Sequence, residues 1–125
     1  MQTLVVDANF LMSAYRFRLD AVAELKCLVE GGFLLVTPSS VVKELETISR
    51  KKGEAGPQAR YALETMARER VSVMQTSKKA DDWILDYCAE TGAIACTNDS
   101  KLRKRLRERG VKSIVLLGRS RLGYV

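Results

Sequence analysis

Histidine is absent from this chain of 125 residues, and cysteine is scarce. Without histidine there can be no Ser-His-Asp triad, no Cys-His dyad, no HExxH zinc site and no histidine-based phosphoryl transfer. The three cysteines, Cys27, Cys88 and Cys96, show no CxxC spacing, and each lies among apolar neighbours. We therefore expect all three to be small core residues. The side chains that remain for demanding chemistry are carboxylates.

Long apolar runs are missing as well. No stretch of the chain approaches the roughly 20 apolar residues that a membrane-spanning helix needs. The chain passes from Met1 directly into a predicted strand, without the basic and apolar regions of a signal peptide. We therefore expect a cytoplasmic protein with no membrane association. The length and the 46% hydrophobic content fit one domain over residues 1–125.

Strand and helix patterns alternate along the chain, which is typical of an α/β domain with a mostly parallel sheet and helices on both faces. Five strands are predicted, at Thr3–Val6, Phe33–Val36, Val71–Met74, Ala93–Thr97 and Ser113–Leu117. Six helices are predicted, at about Asn9–Tyr15, Ala21–Glu30, Ser39–Arg50, Gln58–Glu69, Ala80–Glu90 and Ser100–Arg109. The only obvious loop covers residues Glu54 to Pro57.

Two aspartates directly follow predicted strands. Asp7 comes after Val5-Val6, and Asp99 comes after Thr97-Asn98. An aspartate before a helix is often only an N-cap, so each position alone fits a cap as well as a metal ligand. The carboxyl edge of a parallel sheet is nevertheless where such folds bind ligands.

Three further carboxylates lie on predicted helices. Glu44 is at the edge of the apolar face of its helix, on the side of Val41. Asp81 and Asp82 begin another helix, where any acid gains from the helix dipole. Asp81 lies over the inward face, so it is the favoured ligand, and Asp82 is a supporting or alternative one.

Folded as an open sheet, the chain would bring Asp7, Glu44, Asp81 and Asp99 together. Carboxylates crowd together only at an electrostatic cost, and a divalent cation relieves that cost. Polar residues at the same edge could orient the ligands, a water or a phosphate; they are Asn9, Thr97, Asn98 and Ser39. The sequence therefore predicts a metal-dependent enzyme.

The net charge of +6 suits a polyanionic partner such as nucleic acid. Much of this charge lies on one predicted helix that begins beside the acidic site. It could guide a phosphate backbone, although a solvated helix face explains it equally well. The predicted contacts are Lys101, Arg103, Lys104, Arg105 and Arg107.

These motifs resemble those of the PIN-domain nucleases along essentially the whole chain. The resemblance rests on Val6-Asp7-Ala8-Asn9, Pro38-Ser39-Ser40-Val41-Val42-Lys43-Glu44-Leu45, Ala80-Asp81-Asp82-Trp83-Ile84 and Thr97-Asn98-Asp99. The second half looks like archaeal small PIN proteins, which are similar to rRNA-processing PIN nucleases and to VapC-type toxins. Many members have a single acid where this chain has Asp81 and Asp82.

The resemblance implies an endoribonuclease that depends on Mg²⁺ or Mn²⁺ and often forms a homodimer. Metal-assisted hydrolysis of RNA would leave 3′-hydroxyl and 5′-phosphate ends. An antitoxin or a ribosome-assembly partner is expected, according to whether the protein is a toxin or acts in rRNA processing.

Two other classes of function stay open. One is an RNA-binding or adaptor module that keeps the fold without catalysis. The other is a metal-dependent phosphatase on a doubly wound sheet. Haloacid-dehalogenase phosphatases have Asp-x-Asp after the first strand, and here Asn9 stands at the second position.

Overall fold

The structure is a computed structural model that describes residues 1–125. Strands and helices alternate through most of the chain. The six strands are β1 (Gln2–Val6), β2 (Phe33–Pro38), β3 (Ser72–Met74), β4 (Ile94–Cys96), β5 (Ser113–Leu117) and β6 (Arg121–Tyr124). The six helices are α1 (Ala8–Arg16), α2 (Ala21–Leu28), α3 (Ser39–Ser49), α4 (Ala55–Arg68), α5 (Ala80–Thr91) and α6 (Ser100–Glu108).

All six strands form one sheet in the order β3-β2-β1-β4-β5-β6. The first five strands are parallel, and β6 pairs antiparallel with β5. From β1 the chain proceeds outward through β2 to β3, and it then returns to the other side of β1 as β4. The order therefore reverses between β1 and β4, and α/β sheets bind ligands at the carboxyl ends of strands at such a reversal. This confirms the predicted α/β class with a mostly parallel sheet.

The sixth strand was missed in the sequence. Residues Arg121–Tyr124 lack the alternation of a typical strand, since two buried residues lie between two exposed ones, and Gly123 lowers the strand propensity. Pairing with β5 makes them a strand, with Leu116 opposite Leu122 and Val115 opposite Gly123. A side chain at Gly123 would collide with that of Leu117, so a larger residue there would require Leu117 to move.

Two other local predictions were wrong. Helix α4 begins at Ala55, three residues earlier than predicted, so Pro57 lies in its first turn. Proline is tolerated there, because its missing N–H would have no partner inside the helix. Cys27 is exposed, whereas Cys88 and Cys96 are buried. Apolar neighbours in the sequence did not reveal which face of the short helix α2 carries Cys27.

The hydrophobic core lies on both faces of the sheet. Leu4 and Val5 of β1 are fully buried at its centre. Their cover includes Phe10 of α1, Leu45 of α3, and Leu102 and Leu106 of α6, each at most 1% exposed. The helices that carry polar residues near the carboxyl edge are thus anchored by leucines. None of the helices is long and apolar enough to span a membrane.

We expect Leu45→Ala to lower the free energy of unfolding by about 2–5 kcal/mol, because it leaves a cavity beneath α3. Leu34→Ala makes the same chemical change at a side chain that is 58% exposed, so we expect a loss below about 1 kcal/mol. Urea denaturation measures both values. Equal losses in the two variants would contradict the assigned core.

Candidate active site

Asp7 lies immediately after β1 and is only 5% exposed. Its backbone N–H donates to the carbonyl of Cys96 at 3.0 Å, which extends the pairing of β1 with β4. The carboxylate caps helix α1, because Oδ1 accepts a hydrogen bond from the N–H of Ala8 at 2.8 Å. Asp7 is therefore a cap and a buried carboxylate at the reversal point of the sheet.

A polar network holds the second oxygen of Asp7 in place. The Thr97 hydroxyl, which is fully buried, donates to Asp7 Oδ2 at 2.8 Å and accepts from the N–H of Asp99 at 3.1 Å. The N–H of Asn98 donates to Asn9 Oδ1 at 2.9 Å, and the N–H of Leu116 donates to Asn98 Oδ1 at 3.0 Å. These bonds join the carboxyl ends of β1, β4 and β5.

Asp99 is the N-cap of helix α6. Its Oδ1 accepts from the N–H groups of Lys101 at 2.9 Å and Leu102 at 3.2 Å. Oδ2 makes no hydrogen bond within the protein. As at Asp7, a carboxylate that caps a helix can also bind a metal, because it has about four acceptor positions.

Glu44 stands at the exposed rim of the site on helix α3. Two hydroxyl groups fix the start of this helix. The Thr37 hydroxyl donates to the carbonyl of Val6 at 2.8 Å. Ser39 Oγ exchanges hydrogen bonds with the backbone of Thr76, at 3.0 and 3.2 Å, and so ties α3 to the segment before α5. Sequence reasoning missed Thr37 and Thr76; a threonine ending an apolar strand was the available signal for Thr37.

The neighbouring aspartates Asp81 and Asp82 have different surroundings. Asp82 pairs with Arg105 of α6, with an N–O distance of 2.9 Å. Asp81 is half-buried. Burial is the main cause that raises its pKa, and the charge of Asp99 raises it further. Asp81 is therefore the member of the pair whose field reaches the other carboxylates, while Asp82 is engaged on the outer side of α5.

The four acids share one electrostatic environment. Burial is the main cause that raises the pKa of Asp7, and the charges of Asp81 and Asp99 raise it further, against the bonds from Thr97 and Ala8. Burial also raises the pKa of Glu44, with smaller contributions from Asp7 and Asp81. The negative charges of Asp7, Glu44 and Asp81 are thus disfavoured first by burial and then by neighbouring acids.

No three acidic or cysteine side chains lie close enough together to form a ready-made metal cluster. The donor set nevertheless fits a hard divalent cation, since it consists of carboxylates that repel one another and have no cationic partner at Asp7. Mg²⁺ keeps several waters and needs only one or two direct carboxylates. The arrangement suits a sparse site of that kind, with Asp7, Glu44, Asp81 and Asp99 as its possible ligands.

The five predicted nucleic-acid contacts do not share one environment. Lys101, Lys104 and Arg107 are exposed and form no ion pair. Arg105 is bound to Asp82, so its charge is already balanced. Arg103 is partly buried, on the side of α6 that faces the β5–β6 hairpin.

We expect metal-free Asp7→Asn protein to gain stability relative to the wild type as the pH rises. The raised pKa of Asp7 means that the folded state keeps this proton after the unfolded chain has lost it. The resulting stabilisation is complete below the ordinary pKa of 3.8 and is lost as the pH rises through the higher folded pKa. Thermal unfolding in EDTA, from about pH 4 to about pH 8, measures the difference. A gap in Tm that stays constant with pH would contradict it.

Comparison with known proteins places this geometry in a family. Residues 4–119 match a family described as "PIN like domain". The chain is 34% identical over 110 residues to Ribonuclease VapC9 of Archaeoglobus fulgidus, covering 86% of this chain and 77% of that protein. It is 28% identical over 120 residues to Ribonuclease VapC4 of Methanocaldococcus jannaschii, covering 93% of this chain and 91% of that protein.

Solved structures share the fold. The PIN domain endonuclease Utp24 superposes with a TM-score of 0.81 at 21% identity, over 98% of this chain and 90% of that one. VapBC2 from Rickettsia felis, bound to a promoter DNA fragment, gives a TM-score of 0.64 at 14% identity, over 93% of this chain and 100% of that one. At these identities the likeness concerns the fold alone. The family match over nearly the whole length, together with the VapC9 relative, establishes that the chain belongs to the PIN-like domain family.

Proposed function

We propose that this protein is a divalent-metal-dependent endoribonuclease. One observation carries the proposal: Asp7 is a buried carboxylate at the sheet reversal, and Asp81 and Asp99 act on it as like charges. A bound cation would relieve the cost of ionising Asp7 there, and carboxylates with a raised pKa in such positions typically mark functional sites.

The chain's own residues would do three things in the reaction. Asp7, Asp81 and Asp99, with Glu44 direct or through water, would hold one or two Mg²⁺ or Mn²⁺ ions. Thr97 keeps Asp7 oriented, and its hydrogen bond to the carboxylate favours the charged form, which opposes part of the rise in the pKa of Asp7 that burial causes. Asn9 and Asn98 fix the neighbouring strand ends.

A bound divalent cation supplies Lewis acidity, which makes water a better nucleophile at neutral pH and offsets charge on the phosphodiester. Because the chain has no histidine, acid–base catalysis by a pair of histidines through a 2′,3′-cyclic phosphate is excluded. We therefore propose hydrolysis by water, with 3′-hydroxyl and 5′-phosphate ends.

The relatives support RNA as the substrate, since both curated proteins are named ribonucleases. Their VapC names favour a toxin role with an antitoxin partner for this chain. The fold likeness to Utp24 keeps a role in rRNA processing as the alternative. The phosphatase alternative is less well supported. Asn9 stands where those enzymes have their second aspartate, and its side chain already donates to Asp7 and accepts from the N–H of Asn98.

The direct test is cleavage of a labelled structured RNA by metal-stripped protein, with Mg²⁺ or Mn²⁺ added back. We expect cleavage only with metal, and Asp7→Asn should lower the rate by at least about 100-fold, because one carboxylate of the metal site is lost. Analysis of the product ends should show 5′-phosphates.

Asp20→Asn is the matched control for this assay. Asp20 also caps a helix, accepting from the N–H of Ala23 at 3.1 Å, but it is exposed on α2. Its rate should stay within about twofold of wild type. Metal-independent cleavage, or equal activity in Asp7→Asn, would refute the nuclease. Hydrolysis of small phosphate esters without RNA cleavage would favour the phosphatase.

Metal should also stabilise the fold, which gives a readout apart from activity. A ligand that binds only the native state adds about 2.7 kcal/mol at 100 times its Kd. We expect Mn²⁺ to raise the Tm of the wild type and of Asp20→Asn, but not that of Asp7→Asn. The same rise in all three proteins would place the metal elsewhere.

A further inference from the structure

Besides its two exposed lysines, helix α6 with its C-cap carries two stripes of arginines with different surroundings. Arg105 and Arg109 face α5, where they bond to Asp82 at 2.9 Å and Asp86 at 3.4 Å. These four residues form a ladder, because each pair of like residues is one helical turn apart. Asp86 also bonds to Lys78 at 3.1 Å, so Arg105 has a carboxylate of its own and Arg109 shares one.

The second stripe, Arg103 and Arg107, faces the β5–β6 hairpin. Arg103 lines a cleft of about 230 Å³ together with Phe17, Asn98 and Leu116. No acidic residue lines this cleft, and neither arginine forms an ion pair. The Nε–H of Arg103 is buried and has no hydrogen-bond partner. A bound phosphate oxygen would supply the acceptor that this donor lacks.

Two more arginines approach the same cleft from other elements. The guanidinium carbons of Arg16, at the end of α1, and Arg119, in the β5–β6 turn, lie 5.3 and 5.6 Å from the centroid of the Phe17 ring. Both side chains are exposed, and neither has an acidic partner. Arg16, Arg103, Arg107 and Arg119 thus form a group of uncompensated guanidinium groups, which we name the arginine track.

The arginine track adjoins the acidic site through one shared residue. Asn98 lines the cleft with Arg103, and its backbone N–H bonds to Asn9 in the network around Asp7. Asn98 also directly precedes Asp99. An RNA strand that crosses the acidic site can therefore continue into this cleft without passing over the α5–α6 ladder.

We propose that the arginine track binds the phosphate backbone of single-stranded RNA, and that Arg103 contacts the phosphate next to the acidic site. This rests on the proposed function, since it names the path of the substrate. Guanidinium groups bind phosphate through paired hydrogen bonds, and a single strand is flexible enough to follow cations on three different elements. The substrate leaves the site on the hairpin side of α6, not on the α5 side.

Binding of a fluorescein-labelled oligouridylate, measured by anisotropy at several KCl concentrations, tests this path. The Asp7→Asn background prevents cleavage during the measurement. Adding Arg103→Gln should weaken binding about tenfold or more, the equivalent of one charge-assisted hydrogen bond. It should also reduce the slope of log affinity against log salt by about 0.7, the value for one phosphate on a single strand.

Arg105→Gln is the matched control, since it removes the same charge one half-turn away. We expect it to weaken binding clearly less than Arg103→Gln, because that guanidinium already pairs with Asp82 and lies outside the cleft. Arg103→Lys should restore the salt slope but not the full affinity, because lysine lacks the paired donors. Arg119→Gln, in an exposed turn, should weaken binding in the same direction even if Arg103→Gln fails to fold.

Three results would overturn the proposal: no binding by the Asp7→Asn parent, an equal or larger loss in Arg105→Gln, or displacement of the RNA by polyglutamate at equal charge concentration. The last would assign the track to an acidic protein. The two hypotheses fail separately. Metal-dependent cleavage with binding independent of Arg103 and Arg119 removes only the track, and Arg103-dependent binding without cleavage removes only the nuclease.

Discussion

The site depends on keeping one carboxylate, Asp7, at the buried carboxyl end of the central strand. Burial and two neighbouring acids disfavour its charge, and a hydrogen bond from Thr97 and a backbone amide only partly offset this. The same residue starts α1 and extends the pairing of β1 with β4. Asp7 therefore has both a structural and a chemical role. The hydrogen-bond network around it joins the carboxyl ends of three strands.

The other acids reach the same edge of the sheet by different means. Asp99 lies three residues beyond the adjacent strand β4, so the sheet register places it at the same edge as Asp7. Glu44 and Asp81 are carried by α3 and α5, which pack against each other. The Ser39 hydroxyl bonds to the backbone N–H and carbonyl of Thr76 and so joins the start of α3 to the segment before α5. The strand-borne acids are thus fixed by backbone pairing, and the helix-borne acids by packing and by this one hydroxyl group.

Charge is also organised by tertiary contacts. A net charge of +6 suggests a uniformly basic surface, but the α5–α6 ladder pairs Arg105 and Arg109 with acids. The cations of α6 without an acidic partner are Lys101, Lys104, Arg103 and Arg107, and the last two lie on the hairpin side. Neutral pairs of this kind contribute little to stability, so their main effect is on where a polyanion can bind.

Much of this protein was determined by its sequence. Periodicity predicted five of the six strands and all six helices, and the acids at strand ends predicted that Asp7 and Asp99 would lie at one edge. Local pattern suffices for this, because strand ends and helix faces are properties of neighbouring residues. The tertiary structure alone decided β6, which requires β5 as a partner, and the exposure of Cys27. It also decided that Asp82 pairs with Arg105 and which arginines remain free, because ion pairs join residues that are distant along the chain.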